Sequence, residues 1–177
     1  MISKKLNEAI NKQINEEMFS AYLYLSMAAY FESINLAGFS YWFKLQVREE
    51  TLHGMKFYHH IIERGGTVEL LAIGEPKKKW DSPLNAFEDA LEHEEHITAC
   101  INDLMDLAIE ERDHAARNLL AWFVDEQVEE EATATEIVEK LKLVGNQGHM
   151  LLMLDKELST RPAGPDPYLP AAGEGDD

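Results

Sequence analysis

The feature that most constrains this chain is a glutamate in the middle of the apolar seam of each of four long amphipathic segments. The four acids are Glu17, Glu50, Glu94 and Glu130. In the first segment, apolar side chains recur on both sides of Glu17 at alternating steps of four and three residues. That spacing keeps residues on one face of a helix. Because the other segments repeat the rhythm, we expect a helical bundle with one carboxylate from each helix in its core.

Four carboxylates in one core call for a cation, because desolvation and repulsion between like charges both disfavour the ionised forms. His53 follows Glu50 by three residues and adds an imidazole. Hard oxygen ligands with one imidazole suit iron(II), manganese or zinc better than copper(I). Glu50 is the best candidate for a ligand shared between two ions. We expect Glu17 and His53 to complete one metal position with it, and Glu94 and Glu130 to complete the second.

Two further polar residues share these seams. Gln127 precedes Glu130 by three residues and is placed either to hydrogen-bond a bound oxygen species or to serve as a passive polar neighbour. Tyr24 lies seven residues after Glu17 on the same face. Its phenol could donate an electron or simply orient Glu17. A Tyr at the edge of a core also commonly only packs and hydrogen-bonds, so both roles stay open.

Helix-start and helix-stop residues divide the chain. Ser82-Pro83 and Asp113 are start signals, and Gly145 is a stop signal. The predicted helices span about 5–33, 39–64, 83–112, 114–144 and 148–158. The connection between the second and third helices contains strand-like Thr67-Val68. Its length of about 16 residues reaches roughly 50 Å, enough to travel a helix of roughly 42 Å.

The predicted fold class is therefore all-α: a four-helix bundle with one long crossover between helices 2 and 3 and a short fifth C-terminal helix. This plan brings the four acids within roughly 8 Å of one level along the bundle. Apolar residues on more than one face of the fifth helix predict its burial in an oligomer. We expect one domain over residues 1–159 and a disordered acidic tail, rich in proline and glycine, over residues 160–177.

Composition excludes several classes of protein. A formal charge of -17 argues against nucleic acid and anionic membranes as partners. No apolar run is long enough for a membrane span, and the first residues lead into a helical pattern rather than a signal peptide. A cytoplasmic protein is the expectation. The single Cys100 cannot form an internal disulfide, and we expect a small buried core residue rather than a reactive thiol.

The chain resembles the non-haem ferritins of bacteria and archaea over about residues 5–158. The resemblance rests on residues that match the family's ferroxidase centre in order and spacing: Glu17, Tyr24, Glu50-x-x-His53, Glu94 and Gln127-x-x-Glu130. It implies that each subunit binds two iron(II) ions, oxidises them with dioxygen or peroxide, and passes iron(III) into a hollow homo-oligomeric shell, usually of 24 subunits. It also implies a third iron site on the route inward, formed by Glu49, Glu126 and Glu129.

Several residues differ from the motifs of related di-iron families, and these differences argue against membership of those families. The pair Gln127-x-x-Glu130 lacks the histidine of a second E-x-x-H motif, which argues against bacterioferritins and di-iron oxygenases. Thr51 stands where bacterioferritins carry a haem-ligating methionine, so no haem is expected. One cysteine cannot build the iron domain of a rubrerythrin. Two alternatives stay open: a rubrerythrin-like di-iron oxidase or peroxidase without storage, and a four-helix interaction protein whose buried acids are structural.

Overall fold

The computed structural model describes residues 1–145 and 147–164. Its elements are α1 Lys4–Ser33, α2 Ala37–Glu63, α3 Pro83–Glu110, α4 His114–Val144 and α5 Gly148–Leu158. These residues contain no strand, which confirms the all-α prediction. Among them, no helix has both the length and the apolar character needed to cross a bilayer. Residues 160–164 of the predicted tail are described, and Arg161 contacts α2, so disorder stays a prediction only for residues 165–177, which lie outside the described part of the chain.

Contacts at one end of the bundle show how the helices run. Lys5, at the start of α1, places its Nζ 2.9 Å from Oε2 of Glu110 at the end of α3. Arg64, just after α2, donates two hydrogen bonds of 2.8 and 2.9 Å to Asp113, just before α4. Helices α1 and α4 therefore begin where α2 and α3 end. The parallel arrangement of α2 and α3 confirms the predicted long crossover.

The helix ends follow the predicted signals. The Ser82 hydroxyl accepts a hydrogen bond from the backbone N of Asn85 at 3.1 Å, and α3 begins with a proline. Asp113 Oδ1 accepts from the backbone N of Ala116 at 3.0 Å and so caps α4. Gly145 ends α4 with φ of 52°, a conformation that costs other residues steric strain. These local caps satisfy backbone groups that the helix itself leaves unpaired.

The crossover is held to α1 by asparagine side chains. Asn11 accepts from the backbone N of Glu69 at 2.7 Å and donates to the carbonyl of Thr67 at 2.9 Å. Asn7 donates to the same carbonyl at 3.0 Å. The strand-like residues Thr67-Val68 form no strand, because the backbone here pairs with side chains of α1.

Two apolar clusters fill the bundle on either side of the acid layer. The aromatic cluster includes Tyr24, Phe31, Phe39, Trp42, Phe43, Trp80 and Phe87. The aliphatic cluster includes Leu6, Ile10, Ile14, Ile61, Ile97, Ile101, Leu104 and Leu120. Along α1, Glu17 lies between Ile14 of the aliphatic cluster and Tyr24 of the aromatic cluster. The polar layer is thus enclosed at both ends by side chains that exclude water.

Helix α5 folds back onto the start of α2. Leu154 and Leu158 are buried, and Asp155 Oδ1 accepts from the backbone N of Gly38 and of Phe39 at 2.8 and 3.0 Å. A Cβ at position 38 would lie 1.7 Å from the Asp155 carbonyl oxygen, so only glycine fits. Three large apolar side chains of α5 stay exposed: Met150, Leu152 and Met153. Their burial in an oligomer stays a prediction.

Candidate metal centre

The four seam glutamates form one buried layer in the middle of the bundle. Glu17, Glu50, Glu94 and Glu130 are each between 1% and 7% exposed. Ligand atoms of Glu50 and Glu17 lie within 4.8 Å of each other, and the charges of Glu94 and Glu130 add to the effect of burial in raising the pKa of Glu50. The structure therefore places all four acids where the seam pattern predicted them.

Three residues form what we call the α1–α2 position. Glu17, Glu50 and His53 each offer a ligand atom, and these atoms lie within 4.8 Å of one another. His53 Nδ1 is 3.4 Å from Glu50 Oε2. Glu17 Oε2 and Glu50 Oε1 are buried without a hydrogen-bond partner. Because orphaned buried carboxylate oxygens are costly, this arrangement fits a cation that would ligate them.

We call the surroundings of Glu94 and Glu130 the α3–α4 position, and the sharing of Glu50 with it stays a prediction, since among the described residues only the three ligands of the α1–α2 position lie within 4.8 Å of one another. Glu94 accepts a short hydrogen bond from the Tyr24 hydroxyl and a bond of 3.3 Å from Gln127 Nε2. Glu130 Oε2 accepts from Gln46 Nε2 at 2.9 Å. Here the protein itself satisfies the carboxylates, in contrast to the α1–α2 position.

Burial is the main cause of the raised pKa values of the four acids. It raises the pKa of Glu17 to about 8, with a further contribution from Glu50, and the pKa of Glu130 to about 7, with contributions from Glu94 and Glu49. The pKa values of Glu50 and Glu94 are also raised, again chiefly by burial. The metal-free layer therefore retains protons near neutral pH, and a bound divalent cation would displace them.

The sequence interpretation missed two buried glutamines. Gln13 Nε2 donates to Glu17 Oε1 at 2.9 Å, and Gln46 Nε2 donates to Glu130. Each glutamine stands four residues before the acid of its own helix, Glu17 in α1 and Glu50 in α2. A polar residue one turn before each acid, on the same face, was the signal that could have identified them.

Tyr24 contacts a different acid from the one expected. Its hydroxyl donates to Glu94 rather than to Glu17, so the idea that it orients Glu17 is wrong. The residue is 1% exposed, and burial with the Glu94 charge raises its pKa well above 10. The phenol therefore stays protonated and acts as a hydrogen-bond donor from α1 to α3.

Gln127 of α4 contacts both the backbone and the side chain of Glu94 in α3. Its Nε2 donates to the Glu94 carbonyl at 3.2 Å and to Thr98 Oγ1 at 3.2 Å, besides the Glu94 carboxylate. In this arrangement the amide supports Glu94 and donates no further. Contact with a bound oxygen species stays a prediction.

The acids of the expected third site adjoin the α1–α2 position. Glu126 Oε1 lies 4.0 Å from His53 Nε2, and burial with the charges of Glu129 and Glu49 raises the pKa of Glu126. Glu129 is exposed, and Glu49 Oε2 accepts from Arg161 Nη2 at 2.8 Å. No pattern in the sequence indicated that Arg161, beyond α5, reaches this group.

A separate His and Cys group lies between α1 and α3. His96 is exposed and 3.2 Å from Glu16 Oε2, facing away from the acid layer as expected. The buried-core prediction for Cys100 is wrong, because its half-exposed Sγ lies 3.6 Å from His96 Nε2. Partial burial raises the pKa of this thiol to about 11, so it is not a thiolate near neutral pH.

Comparisons with known proteins agree with this geometry. The sequence model of the ferritin-like domain matches residues 7–144. A bacterial non-heme ferritin of Bacteroides fragilis is 44% identical over 161 residues, covering 91% of this chain and 100% of that protein. One from Staphylococcus aureus is 40% identical over 161 residues, covering 91% of this chain and 97% of that protein.

Solved structures give the same result. The crystal structure of an open pore ferritin from the hyperthermophilic archaeon Archaeoglobus fulgidus superimposes with a TM-score of 0.91 at 55% identity, covering 92% of this chain and 100% of that one. A humanized archaeal ferritin gives a TM-score of 0.92 at 53% identity, covering 93% of this chain and 100% of the other. With the buried acid layer and the one-crossover bundle, these matches show that the chain belongs to the ferritin family.

Proposed function

We propose that this chain is an iron-storage ferritin that oxidises Fe(II) within each subunit and deposits Fe(III) as a mineral inside a hollow oligomer. The observation that carries the proposal is the pair of orphaned carboxylate oxygens on Glu17 and Glu50, buried beside His53. A purely structural acid layer would have donors for these oxygens, as buried polar groups normally do. The geometry therefore favours ferroxidase chemistry over a four-helix interaction protein.

Two Fe(II) ions are the substrate of each centre. Glu17 and His53 would hold one ion, Glu94 and Glu130 the other, and Glu50 would bridge them. Binding releases protons from the acids of the layer, since ligating carboxylates must be ionised. The pair of Fe(II) ions supplies two electrons, which reduce dioxygen to peroxide, or peroxide to water.

The exit route and the shell are further parts of the proposal. Glu49, Glu126 and Glu129 would receive iron on its way inward. A homo-oligomer, with 24 subunits as the expected number, would bury the apolar side of α5 and the crossover residue Leu70, which is 77% exposed. A relative described as an open pore ferritin supports a shell of this kind. The cytoplasmic location and the lack of haem stay predictions of the sequence.

Aerobic addition of Fe(II) to metal-free protein tests the function. We expect fast oxidation, followed by absorbance, with many soluble iron atoms retained per subunit in a large particle. Oxidation that stops near two irons per chain in a small species would instead identify a di-iron oxidase without storage. No acceleration over buffer would overturn the proposal altogether.

Two adjacent acids provide a matched pair of variants. Glu17→Gln removes a ligand of the α1–α2 position, whereas Glu16→Gln changes a carboxylate that faces His96 on the surface. We expect slow oxidation in the first and the wild-type rate in the second. Equal rates in both would show that the acid layer is not the site of oxidation.

A further inference from the structure

Arg161, three residues beyond α5, lies along one face of α2. Its Nη2 is 2.8 Å from Glu49 Oε2, and its Nη1 donates a short hydrogen bond to Gln46 Oε1. The guanidinium carbon lies 5.1 Å from the ring centre of Trp42. Positions 42, 46 and 49 are spaced by four and three, so they lie on the same side of the helix. An ion pair, a hydrogen bond and a cation–π contact therefore hold Arg161 at this place.

The contact with Gln46 extends to a residue of the metal centre. Because the guanidinium occupies the Gln46 oxygen, the amide nitrogen points the other way and donates to Glu130 Oε2 at 2.9 Å. Arg161 thus fixes which end of the Gln46 amide faces Glu130. One side chain from the C-terminal segment is connected both to Glu49 and to a carboxylate of the α3–α4 position.

We propose that Arg161 is a positioning residue that acts as a built-in counter-cation for the third iron position. This inference rests on the proposed function and deepens it. The guanidinium neutralises Glu49 while that position is empty, and a divalent cation that uses Glu49 must displace it. Since arginine stays charged at any physiological pH, this ion pair persists until a cation displaces it.

A binding order follows from these contacts. The residues Glu17 and His53 of the α1–α2 position have no contact with Arg161, so a cation binds there without moving it. The third cation must separate Arg161 from Glu49 and therefore binds last and most weakly. Arg161 sets the threshold at which the third position fills, while the α1–α2 position is left unhindered.

Calorimetric titration of Zn(II) into the assembled, metal-free protein tests this inference. In Arg161→Gln, we expect the third binding step to tighten roughly fivefold to tenfold, because the partly buried ion pair that the third cation must break is removed. The first step should not change. Arg161→Lys keeps the charge and should stay close to wild type. Lys140→Gln is the matched control, since it removes a cation that pairs with Glu157 of α5 at 2.7 Å, away from the acids.

A double-mutant cycle with Glu49→Gln separates positioning from general structure. If Arg161 acts through Glu49, Arg161→Gln should lose its effect on the third step in the Glu49→Gln background. An unchanged third step in Arg161→Gln, or an effect that persists without the Glu49 carboxylate, would overturn the inference. Wild-type protein that fails to bind even two Zn(II) ions per subunit would instead contradict the proposed function, so the two failures are distinguishable.

Discussion

Both halves of the acid layer are built on glutamates, with His53 beside the first only, but they differ in how the protein satisfies those carboxylates. In the α1–α2 position, one oxygen of Glu17 and one of Glu50 are buried without a hydrogen-bond donor. In the α3–α4 position, Glu94 and Glu130 both accept hydrogen bonds from neighbouring helices. The first half is poised for a cation, whereas the second is stable without one.

This difference predicts how the centre fills. A cation entering the α1–α2 position gains two buried oxygens that accept no hydrogen bond, and it displaces the proton that burial retains on Glu17. A cation entering the α3–α4 position must replace donors such as Gln46 on Glu130, and each such hydrogen bond contributes about 1 kcal/mol. We therefore expect the first Fe(II) to occupy the α1–α2 position and the second to bind more weakly. Substitutions at four residues test this difference between the two positions.

Glu50→Ala should have the largest effect, because it removes the ligand that we propose both halves share. Loss of a residue that only orients a ligand costs about 10- to 100-fold, so loss of Glu50 should slow initial Fe(II) oxidation roughly a hundredfold. Stopped-flow absorbance measures the rate, and sizing checks that the shell still forms. Glu139→Ala, an exposed acid paired with Lys142 at 2.8 Å, is the control. A wild-type rate in Glu50→Ala would remove the proposed centre.

The unsatisfied half should make the metal-free protein sensitive to pH. Glu17 has a folded pKa of about 8 against an ordinary 4.5, so the folded chain holds a proton that the unfolded chain releases. The resulting stability is complete below about pH 4.5 and is lost as the pH rises through about 8. We expect the free energy of unfolding per subunit to fall by on the order of 5 kcal/mol between those limits.

Thermal unfolding from pH 5 to 8 measures this slope. Glu17→Gln should flatten it, because the amide cannot ionise. Zn(II)-loaded protein should also show a flatter slope, since the cation replaces the protons. A slope that is as steep in Glu17→Gln as in wild type would assign the pH response to other groups.

Removing the Glu130 carboxylate should weaken cation binding at the α3–α4 position only. In Glu130→Ala we expect one tight Fe(II) per subunit in an anaerobic titration, with oxidation roughly tenfold slower than wild type. Glu17→Ala should instead weaken the first binding step. If both variants lose the same step, the two halves are not distinct positions and the proposed order of filling is wrong.

Tyr24→Phe should have the smallest effect. It deletes one hydrogen bond to Glu94 and leaves the ring packed against Phe43, so we expect oxidation only about twofold to threefold slower. Rapid-freeze electron paramagnetic resonance would check the other role considered for Tyr24. A tyrosyl radical that appears in wild type and disappears in the variant would show that the phenol supplies an electron.

Sequence patterns predicted most of this structure because most of its determinants are local. Ser82, Asp113 and Gly145 act within a few residues, and the helices they delimit agree with the prediction within about two residues. The seam acids were also predictable, since helical periodicity alone assigns Glu17 and Glu50 to the core face. The four acids could also be predicted to lie at one height along the bundle, because the length of the crossover makes α2 and α3 parallel.

Features that depend on distant side chains were not predictable. Helix α2 begins at Ala37 rather than at about Phe39, because its first turn is capped by Asp155 from α5 instead of by a neighbour in sequence. The contact of Arg161 with Glu49 spans 112 residues and has no local signal. Periodicity likewise could not show that Cys100 lies at the edge of the α1–α3 contact rather than in the core.

The cap that Asp155 provides also has a consequence for synthesis of the chain on the ribosome. Asp155 is made 117 residues after Gly38, the residue whose backbone it caps. At a translation rate of about 5 to 20 residues per second, the start of α2 waits roughly 6 to 23 s for this partner. A nascent or truncated chain therefore carries an uncapped, frayed α2. The first turn of α2 is therefore completed only after α5 has been made and has docked onto it.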